Sequence, residues 1–425
     1  MRRLLAWSIL LLPALVGAQG FDLSIRNIMR GPEVYGREPT NVRWTPDGQW
    51  IYFNWLPAGT DFREQLKPYR VRAVAGAKPE VITDAQMDSV GPLVVTGSVS
   101  PDRMRRVVEY RGDLFVTDLR RSATRPLTQT LPTESAPRWS ADGQKVLFIR
   151  ENNSFSIDLS SGFERQLTDI RTADAGNAPA VAARGPGAHV PVGGATGTPP
   201  RGDTQRGALE RDQRDLLAAT SGAVKSIDVL TDTAWVGGPC GFGCAGFAND
   251  DQRVYWVGEA TGYAQLWSAS IDGSDKQQLT SGNFEIYDVR LSNDRRTFLF
   301  HSSETSAFDR DLWSMAVTGG ARAKLTPDAG GHQVMLSPDK QSMADVWSRT
   351  NRPPELYLVK RGANLMPSPL TTSPTAEFLS YGWKNPEIVM IPASDGVKVP
   401  AHIHKPADFG ATPNGAAVIF VHGAG

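Results

Sequence analysis

The sequence predicts a mainly β chain, a seven- or eight-bladed β-propeller followed by the opening strands of an α/β sheet. Three observations carry this. A unit of about four short strands recurs every 45 residues or so, each unit closes on Leu-Thr or Ile-Thr, and after Pro386 the repeat gives way to a different pattern. One four-stranded unit cannot bury both of its faces, so such units stack around an axis.

Composition narrows the classes. The 425 residues carry 45 basic and 45 acidic side chains, and that balance excludes an overall basic nucleic-acid binder. An apolar share of 40% supports a sizeable core, and two cysteines exclude both a disulfide-dense scaffold and a four-cysteine zinc site. The first 18 residues read as a signal peptide. Arg2 and Arg3 precede an apolar run from Leu4 to Val16, and Val16-Gly17-Ala18 offers small residues for cleavage after Ala18. An uncleaved anchor is the alternative. Export implies a periplasmic or secreted protein with no stable membrane insertion after cleavage. It also implies an oxidising compartment in which Cys240 and Cys244 are able to pair.

The blades follow in order. Turns are read at Trp44-Thr45-Pro46-Asp47-Gly48, Ser100-Pro101-Asp102, Trp139-Ser140-Ala141-Asp142-Gly143, Phe247-Ala248-Asn249-Asp250, Ser292-Asn293-Asp294 and Ser337-Pro338-Asp339. Pro presets φ, Gly accepts positive φ, and the Asp side chain caps the turn. Alternating runs such as Trp50-Ile51-Tyr52-Phe53 and Thr297-Phe298-Leu299-Phe300 then read as strands. A third strand recurs, as at Leu266-Trp267-Ser268. The closing pairs are Ile82-Thr83, Leu127-Thr128, Leu167-Thr168, Leu279-Thr280, Leu325-Thr326 and Leu370-Thr371, in steps of 45, 40, 112, 46 and 45 residues. The long step is expected to hold a seventh blade and a flexible Gly/Pro/Ala-rich insertion near 173–208. A short helix is expected at Ala208 to Ala219 and a strand at Ser226 to Val236. Segments 20–40 and 373–385 are candidates for an eighth blade. The propeller is thus assigned to residues 19–385. The recurring Trp residues 44, 139, 256, 267, 313 and 347 read as packing between blades.

Residues 386–425 read as the start of a second domain. Glu387 to Ile391 and Val397 to Lys405 form a hairpin about Ala393-Ser394-Asp395-Gly396. Ala416 to Val421 is a continuous apolar run of the kind that forms a strand buried on both faces. It leads into His422-Gly423-Ala424-Gly425, the pattern of an α/β-hydrolase oxyanion-hole loop. Small residues suit that loop, because backbone N–H groups must come within about 2.7–3.1 Å of the oxyanion.

This order resembles the prolyl oligopeptidase family of serine peptidases, in its dipeptidyl peptidase IV-like and acylaminoacyl peptidase-like branches. Gly258-Glu259-Ala260-Thr261-Gly262-Tyr263-Ala264-Gln265-Leu266-Trp267, its continuation to Ile286, and Arg310-Asp311-Leu312-Trp313 carry the likeness most strongly. The resemblance implies a serine-type peptidase acting on peptides, with the propeller gating access, and no cofactor. It places the oxyanion hole at His422, Gly423 and Ala424. The family sets its Ser, Asp and His after this point, so none of the triad is expected within these 425 residues and this chain alone is expected to be inactive. No Glu-Glu pair is found for a substrate amino terminus. Glu210 and Asp212 are the nearest candidates, against a solvated helix face. Whether the enzyme releases dipeptides, cleaves acylaminoacyl peptides or cuts oligopeptides stays open, as does homodimer formation. The alternative function is a non-enzymatic periplasmic propeller that binds a protein partner; an esterase fused to a propeller is a third. His402 and His404 share a strand face and read as packing or surface histidines before metal ligands.

Overall fold

A computed structural model describes residues 24–170, 227–229, 244–249, 251–292, 294–362 and 366–421. Six four-stranded antiparallel sheets are present among them, each with its strands in chain order from one edge to the other. Blade I holds β1 (Thr40–Trp44), β2 (Trp50–Trp55), β3 (Lys67–Arg72) and β4 (Glu80–Val81). Blade II holds β5 (Ser98–Val99), β6 (Arg105–Tyr110), β7 (Asp113–Asp118) and β8 (Ala123–Pro126). Blade III holds β9 (Glu134–Trp139), β10 (Lys145–Arg150), β11 (Asn153–Asp158) and β12 (Glu164–Gln166). Blade IV holds β13 (Ala245–Ala248), β14 (Arg253–Gly258), β15 (Gln265–Ser270) and β16 (Gln277–Gln278). Blade V holds β17 (Ile286–Leu291), β18 (Thr297–Ser302), β19 (Asp311–Ala316) and β20 (Ala323–Lys324). Blade VI holds β21 (Gly331–Leu336), β22 (Ser342–Arg349), β23 (Arg352–Lys360) and β24 (Pro367–Pro369). The chain is therefore a β-propeller. The expected hidden blade, the helix at 208–219 and most of the strand at 226–236 lie outside the described residues.

Two polar devices explain why each unit folds alike. In five first-to-second-strand turns, the hydroxyl of Thr45, Ser100, Ser140, Ser292 or Ser337 donates to the Asp two residues on, at 2.5–2.6 Å. That same Asp oxygen accepts the N–H two residues further, which fixes the bend. These Asp residues are turn caps, and Asp294 is held down to about 2, chiefly by the Ser292 hydroxyl. The closing Thr ties the fourth strand to the third. Thr128, Thr168, Thr280 and Thr371 accept the N–H of Leu114, Ser154, Leu266 and Leu356 at 2.8–2.9 Å. Leu325 and Leu370, before their closing Thr, fill core sites, as does Ile82, whereas Leu167 is exposed.

Apolar contact between neighbouring sheets then closes the stack. Phe298, Phe300 and Met315 of blade V meet Tyr255 and Leu266 of blade IV. Leu299 and Leu312 face Val334, Met343 and Tyr357 of blade VI. Blade VI in turn packs Val346, Leu356 and Leu358 on Ile51, Phe53 and Val71 of blade I, so the last described blade lies beside the first. Trp44 and Trp139 reach across seams, their Nε1–H donating to the Met335 and Ser98 carbonyls at 2.8 Å. Between blades I and II lies a helix, Asp84–Val94, that interrupts the blade repeat. Its cap was legible: Thr83 and Gln86 form a reciprocal capping box.

Two expectations are corrected. Among the described residues, 24–39 and 373–385 add no blade strands ahead of β1 or after β24. They form short helices, α1 (Ile25–Ile28), α2 (Pro32–Tyr35), and, after α3 (Asp84–Val94), α4 (Ala376–Ser380). The reason is local capping: Ser24 and Thr375 accept N–H groups of the first turn, and Pro32 starts α2. They join the segment before β1 to the segment after β24. Arg30 is bidentate to Glu377 at 2.7 Å, and Thr375 donates to the Val34 carbonyl. The second correction concerns Ala416 to Val421, which is not a strand. Val418, Ile419, Phe420 and Val421 are 82–99% exposed, and among the described residues no sheet pairs with them. The hairpin expected before it is present, as β25 (Glu387–Pro392) paired with β26 (Lys398–Ile403).

The Arg30–Glu377 clasp yields a testable expectation. Arg30, and then Tyr381, hold the Glu377 carboxyl down to about 2 from an ordinary value of 4.5. A depressed acid stabilises above its unfolded value, and that contribution fades as pH falls toward the folded one. Glu377→Gln should therefore lower Tm at pH 7, and the gap to wild type should narrow below about pH 4.5, read by circular dichroism melting.

Candidate functional site

Chain direction gives the propeller two unlike faces. Each first strand starts on the face that carries the second-to-third-strand loops and ends on the face that carries the Asp turns. The C-terminal segment leaves from the first of these. Phe308, in the β18–β19 loop, packs on His402 of β26 with ring centroids 3.8 Å apart. His402 is thus a packing residue against the propeller.

On that same face the axial channel opens into a cavity of about 600 Å³ between β1, β17 and β21. Asn41, Tyr287, Asp288, His301 and Gln333 line it, with Arg43 and Arg290 deeper. Irregular backbone brings two of these side chains there. β1 and β17 each lose register with their partners, between Thr40 and Arg43 and between Tyr287 and Arg290. Asn41 and Asp288 sit at these bulges in the left-handed region, at φ 54° and 50°. A bulge re-aims a side chain, and Asn and Asp tolerate this conformation better than most residues. Ala136 of β9 repeats the feature at φ 49°.

The mouth mixes charges of both signs. His301 Nδ1 stands 3.5 Å from Asp288, and the Asp288 carboxyl is held below its ordinary range, chiefly by His301. The Arg310 guanidinium covers the Tyr287 ring at 4.1 Å, while burial pushes the Tyr287 hydroxyl up. Glu285 accepts the Ala264 N–H at 2.6 Å; Glu259 is pushed up by burial and then by the Glu285 charge. Such a mouth suits charged, hydrogen-bonding ligands more than apolar ones. Arg290 braces the channel wall by donating to the Val334 carbonyl at 2.6 Å.

Behind the wall, the seam of blades V and VI holds a buried ionic network. His332 donates from Nε2 to the Asp328 carbonyl (3.0 Å), bonds Asp345 Oδ2 through Nδ1 (2.7 Å), and stacks on Trp347. Asp311 accepts from Thr326 at 2.7 Å and pairs with Lys324 at 2.9 Å. Burial alone would push His332 down, but Asp345 overrides it and holds the imidazole above its ordinary value. The His332 and Asp311 side chains are fully buried in this network, and His332 belongs to the cavity lining.

The sequence-derived site residues fall elsewhere. His422, Gly423, Ala424, Glu210, Asp212 and Cys240 lie outside the described residues, as do residues 1–23 with the expected signal peptide. Cys244, at the start of β13, is disulfide-bonded and touches the channel cavity. Among the described residues no group of three or more His, Cys, Asp or Glu is arranged to hold a metal, and no helix is long and apolar enough to cross a membrane. The channel residues were missed because nothing in the one-dimensional pattern marks an inward-pointing bulge. The only signal was an Asn or Asp inside a strand, a poor strand former.

Comparison with known proteins gives one family match. The model for the dipeptidyl peptidase IV (DPP IV) N-terminal region matches residues 100–180 and 208–354, just over half of the chain. Among solved structures, dipeptidyl peptidase 4 of Porphyromonas gingivalis aligns at a TM-score of 0.46 and 15% identity, covering 92% of this chain and 68% of that one. TolB of Acinetobacter baumannii aligns at a TM-score of 0.26 and 10% identity, over 72% of this chain and 66% of that one. A putative TolB of Agrobacterium tumefaciens aligns at 0.26 and 15% identity, over 72% and 87%.

Proposed function

The chain belongs to the family of dipeptidyl peptidase IV N-terminal regions, and on that premise we propose that it is the substrate-gating propeller of an exported serine-type peptidase acting on peptides. One observation carries the reading: the channel mouth and the hairpin that leads out of the propeller lie on the same face. A catalytic lobe built onward from residues 386–425 would sit over that mouth. The exposed run at Val418 to Val421 fits this, since a strand buried on both faces needs neighbours from such a lobe.

In this reading a serine of that lobe attacks the peptide carbonyl and a histidine takes its proton. The backbone around Gly423 holds the oxyanion, with His422 and Ala424 flanking it. Glu210 and Asp212 are the candidates to meet a substrate's amino terminus. The periplasm or the exterior is the proposed location. The bulged Asp288 and Asn41 contact the peptide chain at the mouth, and the channel admits an extended chain while a folded domain stays outside. The test is selectivity by shape. The native polypeptide that bears this propeller should cut an unstructured peptide and leave the same sequence uncut inside a folded protein. Equal rates on both would remove the gating role.

A further inference from the structure

The opposite end of the axial channel carries a second cavity, of about 540 Å³, on the face of the Asp turns. Its lining includes Arg43, Arg103, Arg106, Arg120, Arg290 and Lys340, and no carboxylate. In a chain whose charges balance overall, six cations around one cavity need an explanation. Like charges repel, and burial in a protein wall makes them costlier. Burial lowers the Arg106 guanidinium from its ordinary value, and the Arg43 charge lowers it further; burial lowers Arg290 as well.

The partners present do not cancel this charge. Arg106 Nη2 donates to the Leu93 carbonyl, but its Nε is buried without a hydrogen-bond partner. Arg290 is held by the Val334 carbonyl, a neutral acceptor; Asp288, which lines the mouth cavity with it, raises it by less than burial lowers it. Lys340 alone has an acid at ion-pair distance, Asp294 at 3.3 Å. Among the described residues no carboxylate lies within that distance of Arg43, Arg103, Arg106 or Arg120. The turn acids nearby, Asp47, Asp102, Asp118, Asp294 and Asp339, lie outside the lining, each with one oxygen committed to its own turn, and Asp118 feels the Arg120 charge.

From this cluster we infer a binding site for a compact multivalent oxyanion of the phosphate type. Five of the six cations are arginines, whose planar forks pair bidentately with phosphate oxygens. The site is distinct from the channel mouth proposed to meet peptides. Because Arg43 and Arg290 line both cavities, an anion bound here stiffens the wall that the two share.

The test is calorimetric titration of the full chain with inorganic pyrophosphate at low salt, with orthophosphate beside it. Pyrophosphate should bind saturably, at least about tenfold tighter than orthophosphate, and more weakly as salt rises. Arg103 and Arg120 are exposed, so Arg103→Gln with Arg120→Gln should leave the fold intact and weaken pyrophosphate about tenfold. Arg165→Gln, on the outer strand of blade III, should change nothing. Pyrophosphate should also raise the Tm of wild type but not of Arg43→Gln with Arg106→Gln. No saturable binding, equal binding in the Arg103/Arg120 variant, or an equal loss with Arg165→Gln would each overturn the inference.

Discussion

Asp311→Ala is expected to destabilise the fold by about 3–5 kcal/mol, the usual cost of removing one partner from a buried ion pair. Asp311 is fully buried at the start of β19, where it accepts from Thr326 and pairs with Lys324. Without it the Lys324 ammonium and the Thr326 hydroxyl lose their acceptor, and His332, 3.9 Å away, loses a second carboxylate. Asp311→Asn keeps an acceptor for Thr326 and should lose less. Urea unfolding followed by tryptophan fluorescence gives both numbers; a loss under about 1 kcal/mol for Asp311→Ala would contradict the network's role. The same seam sets a pH dependence. His332 is raised in the fold, so its contribution is complete below the ordinary histidine value of about 6.5 and is lost as pH rises through the folded value. Stability should fall on that limb, and His332→Gln should flatten it.

Phe298→Ala should cost a similar amount, about 3–5 kcal/mol, for a different reason. Phe298 is fully buried between blades V and IV, edge-on to Tyr255 at 5.0 Å and packed with Leu266 and Met315. Truncation leaves a void at a seam where two rigid sheets cannot collapse onto it. Phe298→Leu, which keeps most of the apolar bulk, should lose less. Leu131→Ser, at a fully exposed position, should stay within about 0.5 kcal/mol. If Phe298→Ala and Leu131→Ser behaved alike, the seam would not be the source of stability.

How much of this was legible in the sequence divides by the range of the interaction. The blades were, because their determinants are local: a Ser or Thr two residues before an Asp makes the turn, and Leu-Thr closes the sheet. The end segments are candidates for an eighth blade by the repeat, yet their capping residues, Ser24 and Thr375, start helices. Val418 to Val421 shows the limit of an apolar run. It states that burial is wanted, while pairing depends on neighbours. The channel residues were illegible for a third reason. Asp288 and Arg290 gain their setting only when β1, β17 and β21 come round the axis, across about 290 residues of chain. The six-cation cavity is of the same kind, since Arg43, Arg106, Arg290 and Lys340 come from four different blades.

The most direct test of the account is to treat the native polypeptide that bears this propeller with a fluorophosphonate and to map the adduct by mass spectrometry. The account predicts one labelled serine, within a Gly-x-Ser-x-Gly bend of the lobe that 386–425 begins, and loss of peptide hydrolysis in step with labelling. No adduct on a protein that still folds, or an adduct on a serine of the blades themselves, would contradict it.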